Sequence, residues 1–153
     1  MTDILAHLRE EVLLCDGAMG SRLQQADLDT EIDYWGQENC SEVLNLSRPD
    51  IVREIQRGFV AAGADILLTN TFGGSPITLA EFDFQERTHE INMRAAELAR
   101  EALAEFSRDG LQRYVLGDIG PGTKLPSLGQ IGYDELEAAL AAQTAGLLAG
   151  GVD

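Results

Sequence analysis

The chain has 153 residues, of which 44% are hydrophobic and 24% charged, a size and composition that fit one globular domain or part of a larger one. Its 26 acidic and 11 basic side chains give a net charge of -15, which argues against binding to nucleic acid or to anionic membranes. The sequence contains no apolar run long enough for a membrane span and no signal-peptide pattern at its start. The two cysteines lack metal-like spacing, and a reducing cytoplasm is the expected location.

A short amphipathic helix is predicted at residues 4–8, followed by an apolar strand at 12–15. Cys15 lies within this apolar run, so we expect it to be a small core residue. A carboxylate at the end of a buried strand, followed by glycines, is how α/β proteins present an acid to a ligand. The strand opens into Asp16-Gly17-Ala18-Met19-Gly20.

Residues 21–46 show no clean period and predict a long, partly helical loop. A helix start is then indicated by Ser47 as the cap, an early proline and an acid three residues after the serine. The helix is expected to end at Gly63. Its predicted core face consists of Ile51, Ile55, Phe59 and Ala62.

Two further strand–helix pairs follow along the chain. Strands are predicted at 66–68 and 114–119, and each opens into a glycine-rich loop. A helix is predicted at about 86–106 and another at about 133–148. The expected core residues of these two helices are Ile91, Ala95, Leu98, Ala102, Phe106, Leu136, Leu140 and Leu147.

Alternating strands and helices indicate an α/β fold with parallel pairing and right-handed crossovers. Parallel strands would bring the three glycine-rich loops to one end of the sheet. The spacing Gly63-x-Asp65 recurs as Gly151-x-Asp153 and suggests that a helix-to-strand junction is repeated. We therefore expect a parallel (β/α)8 barrel of the TIM type, truncated after about three βα units, because a closed barrel typically needs about 250 residues.

Several motifs in a fixed order carry a resemblance to a known family. They are Asp16-Gly17-Ala18-Met19-Gly20, the stretch from Glu38 to Asp50, Ala62-Gly63-Ala64-Asp65, Thr69-Asn70-Thr71-Phe72 and Gly120-Pro121. In their order and spacing they resemble the amino-terminal part of the homocysteine S-methyltransferase domain, and most closely its cobalamin-dependent members. On this resemblance, residues 1–153 are the first portion of a homocysteine-binding barrel whose remainder is absent.

The resemblance implies a methyltransferase that transfers a methyl group to the thiol of homocysteine and forms methionine. It also implies a zinc ion, held by cysteine thiolates, that binds the homocysteine thiol. The family's zinc cysteines come from later strands, so their positions do not exist in this chain. Cobalamin and methyltetrahydrofolate would act through other modules. The expected partners are therefore homocysteine, the remaining barrel and possible folate or cobalamin modules.

Carried over position by position, the resemblance places Asp16 beside the amino group of homocysteine. The predicted substrate-binding residues are Asp16, Gly17, Ala18, Gly20, Asn70 and Thr71. No catalytic residue and no metal ligand is expected within the chain.

Structural interpretations of the same residues stay open. Asp16 could cap the next turn, and Asn70 could bridge backbone groups of neighbouring loops. Thr71 is expected to be structural rather than functional, and Phe72 to be a core or loop-packing residue. Asp118 could reach the barrel mouth or form a solvated pair with Lys124. An alternative to the enzyme is a catalytically inactive open α/β fragment or a binding module without a zinc site.

Overall fold

The computed structural model describes residues 3–107 and 110–153. The helices are α1 (Ile4–His7), α2 (Met19–Leu23), α3 (Leu44–Ser47), α4 (Pro49–Ala61), α5 (Pro76–Leu79), α6 (Thr88–Ala104) and α7 (Tyr133–Gly150). The strands are β1 (Ile66–Leu68) and β2 (Tyr114–Leu116). Short 3-10 turns lie at Ser41–Val43, Ala80–Phe82, Gln85–Arg87 and Pro126–Leu128. None of the helices in the described ranges is long and apolar enough to cross a membrane.

The strands pair in parallel, as the sequence predicts. β1 and β2 pair with Ile66 opposite Tyr114, and the segment before residue 16 joins the other side of β1 through a parallel bridge between Cys15 and Ile66. The order across the sheet is therefore this amino-terminal segment, β1 and β2. The carboxyl ends of all three meet at one edge, which is where ligands bind in parallel α/β folds.

The predicted strand at 12–15 is wrong in extent, because only the single bridge at Cys15 forms. Val12 is 88% exposed and Leu14 is 59% exposed, so burial does not hold this segment in a longer ladder. Cys15 is also exposed rather than a core residue. Val12 and Leu14 lie on one side of the segment and Cys15 on the other, and the segment is at the edge of the described sheet, where a single bridge holds it to β1.

The predicted core face of α6 is confirmed. Ile91, Ala95, Leu98 and Ala102 are fully buried, and α6 packs against both α4 and α7. Phe106 lies beyond the end of α6 and packs at the margin of a cluster formed by Val60, Leu67, Ala99, Ala102 and Val115. This cluster joins α4 and α6 to both strands.

The expected face of α4 is confirmed in part, because Ile55 is buried and Ile51 and Phe59 pack against the same core cluster. Val52, Ile55, Gln56 and Val60 are buried, whereas Ala62 is exposed. The predicted serine cap is also wrong, because Ser47 ends α3 and its hydroxyl donates to the carbonyl of Asp33. The cap position of α4 belongs to Arg48, and Pro49 is its first residue.

In α7 one predicted core residue is confirmed and two are corrected. Leu147 is buried, but Leu136 and Leu140 are only half-buried and line a shallow surface depression. The residues of α7 that are buried instead are Ala139, Gln143 and Gly146. The helix therefore turns small and polar residues, as well as one leucine, toward α6.

The repeated junction predicted from the sequence is confirmed in detail. Asp65 donates its N–H to the Leu14 carbonyl (2.8 Å), and its carboxylate accepts the Leu14 N–H (2.9 Å). Asp153 makes the same two contacts with Val115, at 2.9 and 2.8 Å. Gly63 (φ +105°) and Gly151 (φ +90°) precede these aspartates, and both need the left-handed backbone that glycine adopts without strain.

Candidate substrate-binding site

A cavity of about 480 Å³ opens at the carboxyl ends of the strands. It lies between the loop after β1, the loop after β2 and the 3-10 turn Ser41–Val43. Residues on its wall include Gly20, Glu42, Asn70, Thr71, Phe72 and Asp118. Three of the six predicted substrate-binding residues therefore border this cavity, and Asp16, Gly17 and Ala18 lie outside its wall.

Asp16 occupies the end of the amino-terminal segment, as predicted. Its Oδ2 accepts the Leu68 N–H at 3.0 Å, and its Oδ1 lies 3.6 Å from the Cys15 thiol, which donates to it. Burial raises the pKa of Asp16, the Leu68 hydrogen bond opposes this rise, and the charge of Asp118 adds to it. One carboxylate oxygen thus ties the segment to β1, while the other faces a thiol and not a strong donor.

The turn after Asp16 has a packing role that the sequence did not reveal. A Cβ on Gly17 would lie 2.9 Å from the ring of Phe59 on α4, so the turn sits directly against this helix. Ala18 is exposed at the start of α2. A Cβ on Gly20 would meet nothing within 4 Å, and Gly20 borders the cavity. The predicted contact of these three residues with substrate stays a prediction.

Asn70 bridges backbone groups, which was one of its two open interpretations. It is 6% exposed, and its Nδ2 donates to the Ser41 carbonyl at 2.7 Å and to Asn45 Oδ1 at 3.3 Å. Asn45 returns a hydrogen bond from its own Nδ2 to the Asn70 carbonyl at 2.8 Å. This reciprocal pair fixes the loop after β1 to the stretch that precedes α4.

Thr71 joins the two loops that form the cavity wall. Its hydroxyl donates to the Asp118 carbonyl at 2.8 Å and lies 2.6 Å from the hydroxyl of Thr69. Thr69 in turn accepts the Asp118 N–H at 3.0 Å. The two threonines therefore hold the end of β2 beside the end of β1, a structural role that leaves their hydroxyls already bonded.

Phe72 and Asp118 both lie on the cavity wall. Phe72 is 62% exposed, so it is not a core residue. Its carbonyl accepts the Gly120 N–H at 3.0 Å, and a Cβ on Gly120 would lie 3.0 Å from its ring, so Phe72 packs on the loop after β2. Asp118 is half-buried at the same cavity, and burial raises its pKa. The ion pairs among the described residues do not join it to Lys124, so the solvated pair does not form.

Glu42 is a residue of the cavity wall that the sequence interpretation did not select. It is 6% exposed, and its Oε1 accepts the Gly73 N–H at 2.7 Å. Burial raises its pKa, the hydrogen bond from Gly73 opposes this rise, and Asp118 adds to it. An available signal was its position within the stretch from Glu38 to Asp50, directly before the apolar pair Val43-Leu44.

The described residues do not fit a zinc site. They contain no group of three or more histidine, cysteine, aspartate or glutamate side chains placed to hold a metal ion. Cys40 is fully buried, and burial followed by the charge of Glu42 raises the pKa of its thiol to about 12. A thiol in that state is protonated at neutral pH, whereas zinc binds the thiolate.

The chain matches known proteins over nearly its whole length. It is 41% identical over 152 residues to the methionine synthase of Mycobacterium tuberculosis, and equally identical to that of Mycobacterium leprae. These alignments cover 99% of this chain but 13% and 12% of the two relatives. The chain therefore spans about an eighth of the length of the curated relatives it matches.

Solved structures agree on the fold. The metallated form of the homocysteine methyltransferase MmuM from Escherichia coli superposes with a TM-score of 0.76 at 21% identity, over 97% of this chain and 54% of that one. Its oxidized form superposes with a TM-score of 0.77. The family model for homocysteine S-methyltransferase matches residues 13–153. The cavity thus lies in a fold that this family uses, and the chain belongs to the homocysteine S-methyltransferase family.

Proposed function

We propose that the chain supplies the amino-acid-binding part of an enzyme that methylates homocysteine to methionine. In this proposal residues 1–153 form the amino-terminal portion of a (β/α)8 barrel. The family match over residues 13–153 and the parallel order of the described strands support it. The methionine synthases and the homocysteine methyltransferase that resemble the chain indicate the reaction.

The observation that carries the proposal is an acidic mouth at the carboxyl edge of the sheet. We use this name for Asp16, Glu42 and Asp118, whose pKa values are all raised, mainly by burial; the charge of Asp118 adds to the rise at Asp16 and at Glu42. None of the ion pairs within residues 3–107 and 110–153 includes any of the three. Buried or half-buried carboxylates without a cation favour a positively charged ligand, and the ammonium group of an amino acid is such a ligand.

Asp16 is the proposed anchor for this ammonium group. Its Oδ2 already accepts the Leu68 N–H at 3.0 Å, which orients the carboxylate. Its Oδ1 has only the weak thiol donor of Cys15, so it can accept a charge-assisted hydrogen bond. The turn at Gly17, Ala18 and Gly20 would then let the substrate approach the backbone closely, while Asn70 and Thr71 fix the part of the cavity wall that the loop after β1 forms.

The described residues contribute binding and orientation in this proposal, and no metal-dependent step. Zinc would have to be held by cysteines outside this chain, because the described residues offer no ligand set for it. Cobalamin and methyltetrahydrofolate would act through further modules of a longer protein. The chain taken alone is then an inactive α/β unit. The proposal is therefore compatible with the alternative of a catalytically inactive α/β fragment without a zinc site.

The experiment compares wild type with Asp16→Asn in the complete protein that carries this chain. The asparagine keeps the shape and an acceptor for the Leu68 N–H but removes the charge. A charge-assisted hydrogen bond is worth on the order of 1.5–3 kcal/mol, so we expect homocysteine binding to weaken about 10- to 100-fold. Calorimetry measures the affinity, and bound zinc should be unchanged in the variant.

Asp27→Asn is the matched control, because Asp27 is an exposed carboxylate in the loop after α2. It should bind homocysteine as wild type does. Unchanged affinity in Asp16→Asn together with a lower melting temperature would assign Asp16 to turn capping only. Wild-type protein that does not methylate homocysteine would refute the proposed reaction itself.

A further inference from the structure

The loop from Thr69 to Gly74 is held from outside by buried polar side chains. Each of these side chains bonds a different main-chain group of the loop, and all are at most 6% exposed. The contacts are Glu42 Oε1 with the Gly73 N–H (2.7 Å), Asn45 Nδ2 with the Asn70 carbonyl (2.8 Å), Asn92 Nδ2 with the Gly74 carbonyl (2.7 Å) and Gln143 Nε2 with the Thr71 carbonyl (2.7 Å). The loop is therefore preorganised by residues that lie far apart in the sequence.

Glu42 differs from the other three side chains because it is a carboxylate. The other three side chains are neutral amides that donate to carbonyls of the loop, whereas Glu42 accepts an N–H. The amide oxygen of a glutamine would also accept this N–H, so the contact by itself does not require a charge. A buried charge without a cation is costly, and the raised pKa of Glu42 reflects this cost. Its second oxygen, Oε2, lies 3.4 Å from the Ser41 hydroxyl, which is a weak compensating contact.

The position of Glu42 connects this cost to the cavity. Glu42 and Gly73 both lie on the cavity wall, next to Phe72. Glu42 approaches the loop so closely that a Cβ on Gly73 would lie 2.9 Å from its Oε1. A hydrogen bond from an N–H to an ionised carboxylate is shorter and about twice as strong as a neutral one. The carboxylate thus fixes the main chain of the loop at the point where it meets the cavity.

We propose that Glu42 is a positioning residue for the amino-acid substrate, acting through its hydrogen bond to the Gly73 N–H and through its charge at the cavity wall. The hydrogen bond fixes the main-chain path of the loop and therefore the position of Phe72 at the cavity wall. The charge adds to that of Asp16 and Asp118 in favouring an ammonium group. This inference rests on the proposed function, since it assigns Glu42 to the binding of the same substrate.

The test uses the complete protein that carries this chain, with homocysteine as the varied substrate. Glu42→Gln keeps the size and an acceptor for Gly73 but removes the charge, and we expect KM for homocysteine to rise about tenfold with kcat within twofold of wild type. Glu42→Asp keeps the charge but is one methylene shorter, so it loses the contact with Gly73 and should also raise KM. Glu38→Gln removes an exposed carboxylate four residues earlier and serves as the control.

A spectroscopic measurement separates positioning from a purely structural role. The Gly73 amide proton should resonate at low field in wild type and move upfield in Glu42→Gln. An unchanged KM in both Glu42 variants, with an active wild type, would overturn the inference and leave the proposed function standing. An inactive wild type would overturn the proposed function and this inference with it. If Glu42→Gln does not fold, the KM of Glu42→Asp for homocysteine is the test: a raised KM supports the inference and an unchanged KM overturns it.

Discussion

The contact between α6 and α7 depends on Gly146, in the last third of α7, and replacing it should destabilise the protein. A Cβ on Gly146 would lie 2.8 Å from the His89 carbonyl oxygen and 2.9 Å from Asn92 Cβ. Carbon atoms do not approach a backbone oxygen so closely, and the backbone of α6 cannot rotate away as a flexible side chain would. Gly146→Ala therefore forces the two helices apart.

The magnitude follows from two opposing effects. Overpacking of a closely packed contact costs about 1–3 kcal/mol, and alanine regains about 1 kcal/mol over glycine through helix propensity. Because the obstructing atom is backbone, we expect a net loss of about 1–2 kcal/mol. At about 2–4 °C per kcal/mol for a chain of this size, the melting temperature should fall by about 2–8 °C.

Gly58→Ala is the matched control for this experiment. Gly58 lies within α4, is exposed, and a Cβ there would meet nothing within 4 Å. Helix propensity alone then applies, so the variant should gain about 0.5–1 kcal/mol. Thermal unfolding followed by circular dichroism measures both variants. Gly146→Ala with a melting temperature equal to or above that of wild type would refute the packing argument.

Three further predictions concern the thiols, the metal and the pH dependence of stability. Cys15 is exposed, whereas Cys40 is fully buried and its thiol has a pKa of about 12. A thiol reagent should therefore modify Cys15 in the native protein and Cys40 only after unfolding; equal rates of modification of the two cysteines in the native protein would contradict this. The chain purified without a tag and dialysed should retain far less than one zinc per molecule, because the described residues contain no candidate cluster, and stoichiometric zinc lost on changing either cysteine would show that this is wrong. Burial raises the pKa values of Asp16 and Asp118 above the ordinary 3.8 of aspartate, and that of Glu42 above the ordinary 4.5 of glutamate. Above these ordinary values the native state therefore binds more protons than the unfolded state. The free energy of unfolding then falls as the pH rises through the raised pKa values. Urea unfolding should thus show a higher free energy of unfolding at about pH 5 than at about pH 7, and the difference should be smaller in Glu42→Gln. An unchanged difference in that variant would show that Glu42 does not contribute to the pH dependence.

Local sequence patterns determined the elements whose burial is regular. The period of α6 identified Ile91, Ala95 and Leu98 because a helix with one buried face repeats its apolar residues at helical spacing. The strand at 66–68 was recognisable as a short apolar run between polar segments, and the repeated Gly-x-Asp spacing correctly indicated a repeated junction. The ordered motifs also sufficed to indicate the family, since they depend on sequence alone.

The tertiary structure decided which side of each remaining element is covered. The segment at 12–15 is as apolar as β1, yet Val12 and Leu14 are exposed because no described element packs on them. The face of α7 was misjudged for a related reason. This helix carries alanine and leucine residues around much of its circumference, and only the position of α6 selects the buried face.

Long-range contacts likewise decided the candidate site. Asp16 and Asn70 were identifiable from their motifs, but the hydrogen bond of Asp16 to Leu68 and that of Asn70 to Ser41 join distant parts of the chain. Glu42 reaches Gly73, which lies 31 positions later in the sequence. No local pattern identifies such a partner, because the sequence does not distinguish a buried glutamate from a solvated one. Only the fold brings the N–H donor within hydrogen-bond distance of the carboxylate.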